Sequence, residues 1–197
     1  MPRSSLDAIM GSVTLSETRK EPFFQKDLTV EQCKSTLWKT VEEASVRLVI
    51  FSGMGDWKRD EVLEVLESQH AKDMFVASAD KFMVQNDKYV FDVSKLTNSH
   101  LKCQGEARNA LHSSNDTVVF IANKNSVVDH IKCIPPGHPF ISVVFTPPSA
   151  QNATALGRGN GKQIPESVFE RCYEEVGALK LTQAVFPKLK GVCRILV

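Results

Sequence analysis

Residues 46–52, VRLVIFS, alternate too little between apolar and polar side chains to form a half-exposed strand. A strand that is apolar on both sides must be covered on both sides, which points to a parallel sheet lying between helices. The chain around it repeats that theme. A Thr29/Gln32 capping box precedes Val30, Cys33, Leu37, Val41 and Ala44 at helical spacing, predicting a helix that packs beside this first strand. Residues 58–69 carry Val62, Leu63, Val65 and Leu66 on one helical side, and residues 74–78 give a second short apolar strand. Asp92 can cap a helix over 93–112 with Leu96, His100, Cys103, Ala107 and Leu111 inward. A third strand is expected at 117–121, a short helix at 127–133, and, past Pro135-Pro136-Gly137, a fourth strand at 140–145. Pro147-Pro148 leads to a glycine-rich segment at 157–162, Pro165 can start a helix to about 179, and residues 192–197 form a candidate last strand.

Strands separated by helical patterns at these intervals imply right-handed βαβ units. Ligands of such sheets bind beyond the carboxyl ends of the strands. That rule gathers the turn at Gly53, Asp80, Asn123 and the 157–162 segment on one rim. The turn itself reads GMGDWKRD, from Gly53 to Asp60. A phosphate-cradling loop, GxxxxGK[ST], needs a tight turn, a lysine, and a hydroxyl for Mg²⁺. Here Gly53, Gly55 and Lys58 are present, but the loop is one residue short, Trp57 stands for the last glycine, and Arg59 stands for the hydroxyl residue. Trp57 can offer a stacking surface for a base or fill the space of an absent nucleotide, and the shortened turn favours the filler.

Length and charge narrow the classes further. With 197 residues the chain suits one well-buried core, and 24 Lys+Arg against 23 Asp+Glu leave no global field for nucleic acid. Any such binding must be local. Five dispersed cysteines, without CxxC or Cys/His pairs, favour neither disulfides nor zinc, and fit an intracellular setting, cytoplasmic or nuclear. No apolar run is long enough to span a bilayer, so no membrane is expected. Residues 1–26 are rich in Ser, Thr and charge and are expected to be a flexible arm, with the domain over 27–197.

The order of motifs resembles the polynucleotide-kinase-like P-loop kinases, including the kinase-like domains of Nedd-binding proteins. The most specific stretch is residues 76–111, VASADKFMVQNDKYVFDVSKLTNSHLKCQGEARNAL, followed by VFIANKN at 119–125, and by Arg158, Asn160 and the Glu170–Glu174 run, which resembles the family's lid. The resemblance implies a P-loop NTPase/kinase-like three-layer sandwich with a mainly parallel sheet. It further implies that Lys58 is the phosphate lysine, Asp80 the base on the acceptor hydroxyl, and Arg158 a lid arginine. Against the family pattern, Ala122 stands where a third-strand Asp helps hold the metal, Lys124 stands for a Thr, and Lys81 stands for a frequent second Asp.

Phosphoryl transfer depends on positioning and on metal-assisted charge stabilisation, so these losses remove the main source of rate. The leading expectation is a catalytically inactive, degenerate kinase-like domain, a pseudokinase without cofactor or metal. It would serve as a protein-interaction scaffold, including one in an RNA-related complex. Its protein partner would be met through the arm, with Phe23-Phe24, or through the C-terminal segment around Val185-Phe186 and 192–197. A second reading is an active ATP-dependent polynucleotide 5′-hydroxyl kinase in which Asp56 or Asp60 replaces the lost metal ligands. A third is an RNA- or DNA-binding module whose basic rim, Lys58, Arg59, Lys81, Lys124 and Arg158, contacts phosphates.

Overall fold

The computed structural model describes residues 23–158 and 164–197. The chain enters through strand β1 (Phe24–Leu28) and helix α1 (Val30–Glu43), whose start is fixed by the Thr29/Gln32 capping box. Strand β2 (Leu48–Ser52) follows, buried at every position as its two-sided apolarity requires. An irregular turn, Gly55–Arg59, leads into α2 (Asp60–His70) and β3 (Met74–Ala77). A single-turn helix (Asp80–Met83), a hairpin of β4 (Val84–Gln85) and β5 (Lys88–Tyr89), and a turn capped by Asp92 precede α3 (Leu96–Ser113). Then come β6 (Val118–Ile121), α4 (Val127–Cys133), β7 (Phe140–Thr146), α5 (Ala150–Arg158), α6 (Glu166–Gly177) and β8 (Leu189–Leu196).

Six strands form one parallel sheet in the order β1-β8-β7-β2-β6-β3, and helices flank it in a P-loop NTPase-like three-layer sandwich. β2 is central, with Leu48 opposite both Val119 and Phe140. Phe51 in its middle meets Phe120 and Phe145 edge-on, so the three inner strands share one aromatic seam. Parallel strands present their carboxyl ends together, and the turn after β2, Asp80 after β3 and Asn123 after β6 therefore share an edge.

At the ends of the chain the expected arm boundary is corrected, and the expected last strand at 192–197 is present within β8. Residues 24–26, assigned to the arm, belong to β1, which pairs with β8 from Phe24 opposite Gly191 to Leu28 opposite Ile195. Phe23 and Phe24 pack on the core, and the Phe24 ring occupies the space a side chain at Gly191 would need. The C-terminal segment is likewise inside the sheet, between β7 and β1, with Phe186 buried beside it. Both segments are thus paired within the domain's own sheet, β8 on both sides and β1, at the sheet edge, on one. Residues 1–22, the rest of the expected arm, lie outside the described residues, as do Gly159, Asn160 and the remainder of the glycine-rich segment to 163. The sequence reading also missed α5, where it placed only a loop.

All five cysteines are free and buried, and burial pushes the thiols of Cys33 and Cys133 up to about 12, which makes them inert fillers. Among the described residues no helix is long and apolar enough to cross a membrane. His130, on α4, is fully buried, with Nδ1 2.9 Å from the Ser126 carbonyl and Nε2 3.4 Å from the Ser142 hydroxyl. Burial pushes it from 6.5 to about 4, so the folded state holds it neutral. The stabilisation this gives is full above the unfolded value and is lost as pH falls through 6.5 towards 4, because only the unfolded chain takes up the proton readily. Unfolding free energy measured between pH 7 and 4 is expected to drop by up to about 3 kcal/mol from this group, at about 1.4 kcal/mol per unit. In His130→Gln that component of the slope should vanish; an unchanged slope contradicts the assignment.

Candidate functional site

The turn after β2 is built to close on itself. Gly53 sits at φ 113°, and a Cβ there would lie 2.9 Å from the Phe145 Cβ, so only glycine leaves β2 in this direction. Trp57 (φ −87°, ψ 40°) and Lys58 (φ 69°, ψ 1°) then break the helical path, so the shortened loop turns inward before α2 begins. Trp57 is wholly buried against Gly53 and donates its Nε1–H to the Ala153 carbonyl on α5 at 3.1 Å. It fills volume and offers no face to a base.

Arg59 completes the closure. Its side chain is 2% exposed. Nη1 donates to the Gly53 carbonyl at 3.3 Å, Nε and Nη2 donate to Asp60 Oδ1 at 3.0 and 2.8 Å, and Nη2 reaches Asp80 Oδ2 at 3.3 Å. The two carboxylates raise the guanidinium's already high pKa against the opposing cost of burial. A methyl group added at Gly55 would meet Asp60 Oδ2 at 2.2 Å, which marks how completely these two side chains occupy the inside of the loop. The Gly53 N–H is also taken, by Asn125 Oδ1 at 2.8 Å, while Asn125 Nδ2 donates to Asn123 Oδ1 at 3.2 Å.

A nucleotide triphosphate with its Mg²⁺ does not fit these residues. The Gly53 and Trp57 N–H groups are bonded within the protein, a guanidinium stands where a metal-binding hydroxyl is needed, and buried Ala122 supplies no carboxylate at the end of β6. Asp60 is engaged by Arg59, and the Asp56 side chain lies outside what the structure describes.

The five residues of the expected basic rim do not come together as a rim. Arg59 and Lys124 are buried, Lys58 pairs with Glu61, Lys81 with Glu106, and Arg158 with Glu166. Lys124 is drawn inward because Asn123 adopts φ 68° and the Lys124 N–H donates to the Phe51 carbonyl at 3.0 Å. Its Nζ lies 3.3 Å from His100 Nδ1. Burial, with Lys124 adding to it, holds His100 below the usual imidazole value.

Beside the closed loop a cavity stays open. A cavity of about 220 Å³ lies between the ends of β2, β3 and β6 and helices α3 and α6. Asp80, His100, Asn123, Asp129, Arg171 and Glu175 give it polar groups, and Met54, Phe91, Leu96 and Val168 give it apolar walls. Asp80 and His100 were legible from the sequence. Asp129 and Glu175 were missed, although Glu175 stands one turn past Arg171 of the lid-like Glu170–Glu174 run, on the helix read from Pro165. No protein-family model matches the chain, and no curated protein matches it.

Proposed function

We propose that this chain is a catalytically silent kinase-fold domain, a pseudokinase retained as an interaction module, with its phosphate loop sealed by its own side chains. The observation that carries the reading is Arg59 bonded at once to Gly53, Asp60 and Asp80 inside the loop. The same guanidinium that excludes a donor phosphate also ties up the carboxylate that would act on an acceptor hydroxyl. An interaction role with a protein partner has the surface around the cavity beside the loop available to it, as well as the open edge of β1. The nucleic-acid reading is less favoured, because Arg59 and Lys124 are buried and Lys58, Lys81 and Arg158 each already have a carboxylate partner.

Isothermal titration with ATP and GTP, with and without Mg²⁺, is expected to give no saturable heat, and a γ-phosphate transfer assay on 5′-hydroxyl RNA and DNA no product. Mg²⁺-dependent transfer that disappears in Lys58→Ala and in Asp80→Asn overturns the proposal in favour of an active kinase.

A further inference from the structure

Charge is not spread evenly along this near-neutral chain. Residues 130–148 hold Lys132 and no acidic side chain, and residues 176–197 hold Lys180, Lys188, Lys190 and Arg194 and again no acidic side chain. The fold brings these two segments together at the amino ends of β7 and β8, the end of the sheet away from the sealed loop. There Ile131, Pro135, Pro136, Val185 and Pro187 line a groove of about 180 Å³, with Phe140 and Phe186 edge-on to each other at 5.8 Å as its floor. Lys188 also lines it, and exposed Lys132 follows Ile131 in α4. Arg108 of α3 donates to the Lys132 carbonyl at 2.7 Å, which brings a third cation beside the groove. No carboxylate lines it, and among the described residues Arg108, Lys132 and Lys188 have no carboxylate partner.

We infer that this groove docks an acidic segment of a protein partner, with one aliphatic side chain of that segment in the groove and flanking carboxylates on Arg108, Lys132 and Lys188. Exposed Ile131 (59%) and Val185 (44%) come from different parts of the chain onto the same groove, so its apolar lining is a patch and not a scatter of single residues. At about 180 Å³ the groove is below the roughly 300–1,000 Å³ of drug- and cofactor-sized sites and suits one side chain. Prolines at 135, 136 and 187 fix the backbone of both walls, so little ordering is left to oppose binding. Cations on the rim then select the sign of the partner, because like charges brought against them would be repelled. A nucleic-acid strand fits less well. It binds by stacking bases on exposed rings, and the two rings of this groove, Phe140 and Phe186, are buried. The inference takes from the reading above that the domain is an interaction module, and it needs nothing from the loop.

The test is a titration of the full chain, followed by amide chemical shifts, with the capped peptide Asp-Glu-Leu-Glu-Asp. Its comparators are Asp-Glu-Gly-Glu-Asp, which lacks the aliphatic side chain, Lys-Lys-Leu-Lys-Lys, which reverses the charge, and pentauridylate RNA. The acidic leucine peptide is expected to bind saturably and to shift amides at 131–137 and 185–188, with affinity falling as salt is raised from about 0.05 to 0.5 M. The glycine peptide should bind at least about ten-fold more weakly, and the basic peptide not at all. Ile131→Ser with Val185→Ser, and separately Lys132→Glu with Lys188→Glu, should each weaken binding at least about ten-fold, a loss of about 1.4 kcal/mol. All four side chains are exposed, so unfolding temperature should hold in both variants, and Leu101→Ser, exposed on α3, should bind as the native chain does. Absence of saturable binding, equal binding of the basic peptide, or full affinity in either double variant overturns the inference. Tighter binding of pentauridylate overturns it in favour of nucleic acid, and self-association in sedimentation that is lost in Ile131→Ser with Val185→Ser overturns it in favour of a second copy. ATP added to the same samples reports on the loop at the other end of the sheet, so nucleotide binding would sink the sealed-loop reading and leave this inference standing.

Discussion

Arg59→Ala is expected to destabilise the fold by about 3–5 kcal/mol, the cost of removing one partner from a buried charge network. The substitution leaves the Gly53 carbonyl without its donor and sets the Asp60 and Asp80 carboxylates, both bonded to Arg59 in the native protein, side by side without a cation. Both acids keep some solvent exposure, so water screens part of the repulsion and the lower end of the range applies. Arg59→Lys keeps one charge but loses the planar fork that meets a carbonyl and two carboxylates together, and should recover only part of the loss. Asp80→Asn removes one of the two acids and leaves Asp60 in place, so it should cost far less. Urea unfolding of the three variants checks the ranking. A loss below about 1 kcal/mol in Arg59→Ala would mean that the guanidinium merely rests in the loop.

What could be read in the sequence was whatever burial on two faces or a cap made local. The fully apolar β2, the Thr29 box and the Val127–Cys133 helix after VFIANKN all declare themselves within a few residues. β1 does not, because FQKDL has only its two ends partly buried at a sheet edge, and its partner β8 is far away in sequence. α5 is short, and the signal that could have found it is Ser149, whose hydroxyl accepts from the Asn152 N–H at 3.2 Å as a cap does. At the site, the positions of Lys58, Arg59, Asp80 and Lys124 were legible but their partners were not. Reading cations as a rim assumes that they point to water. The shortened turn aims Arg59 inward, and the left-handed Asn123 turns Lys124 beneath β2, so each meets groups that sequence order alone does not bring near.

Trp57→Ala is expected to match Arg59→Ala in size, at about 3–5 kcal/mol, by a different route. Trp57 is 0% exposed, so alanine exchanges a packed indole for a void under Gly53 and removes the indole's hydrogen bond to the Ala153 carbonyl. Trp57→Phe separates the two terms. It keeps most of the packing and loses only the indole N–H bond to a carbonyl that still has its helical donor, so it should cost about 0.5–1.5 kcal/mol. The pair also bears on how the loop came to be sealed. If the indole were the principal obstacle to a nucleotide, Trp57→Ala would gain ATP affinity in return for its lost stability. With Arg59, Asp60 and Asn125 still bonded across the loop, no such gain is expected from the single change. Measurable ATP binding by Trp57→Ala, against none by the native chain, would assign the closure to the tryptophan and leave Arg59 a secondary role.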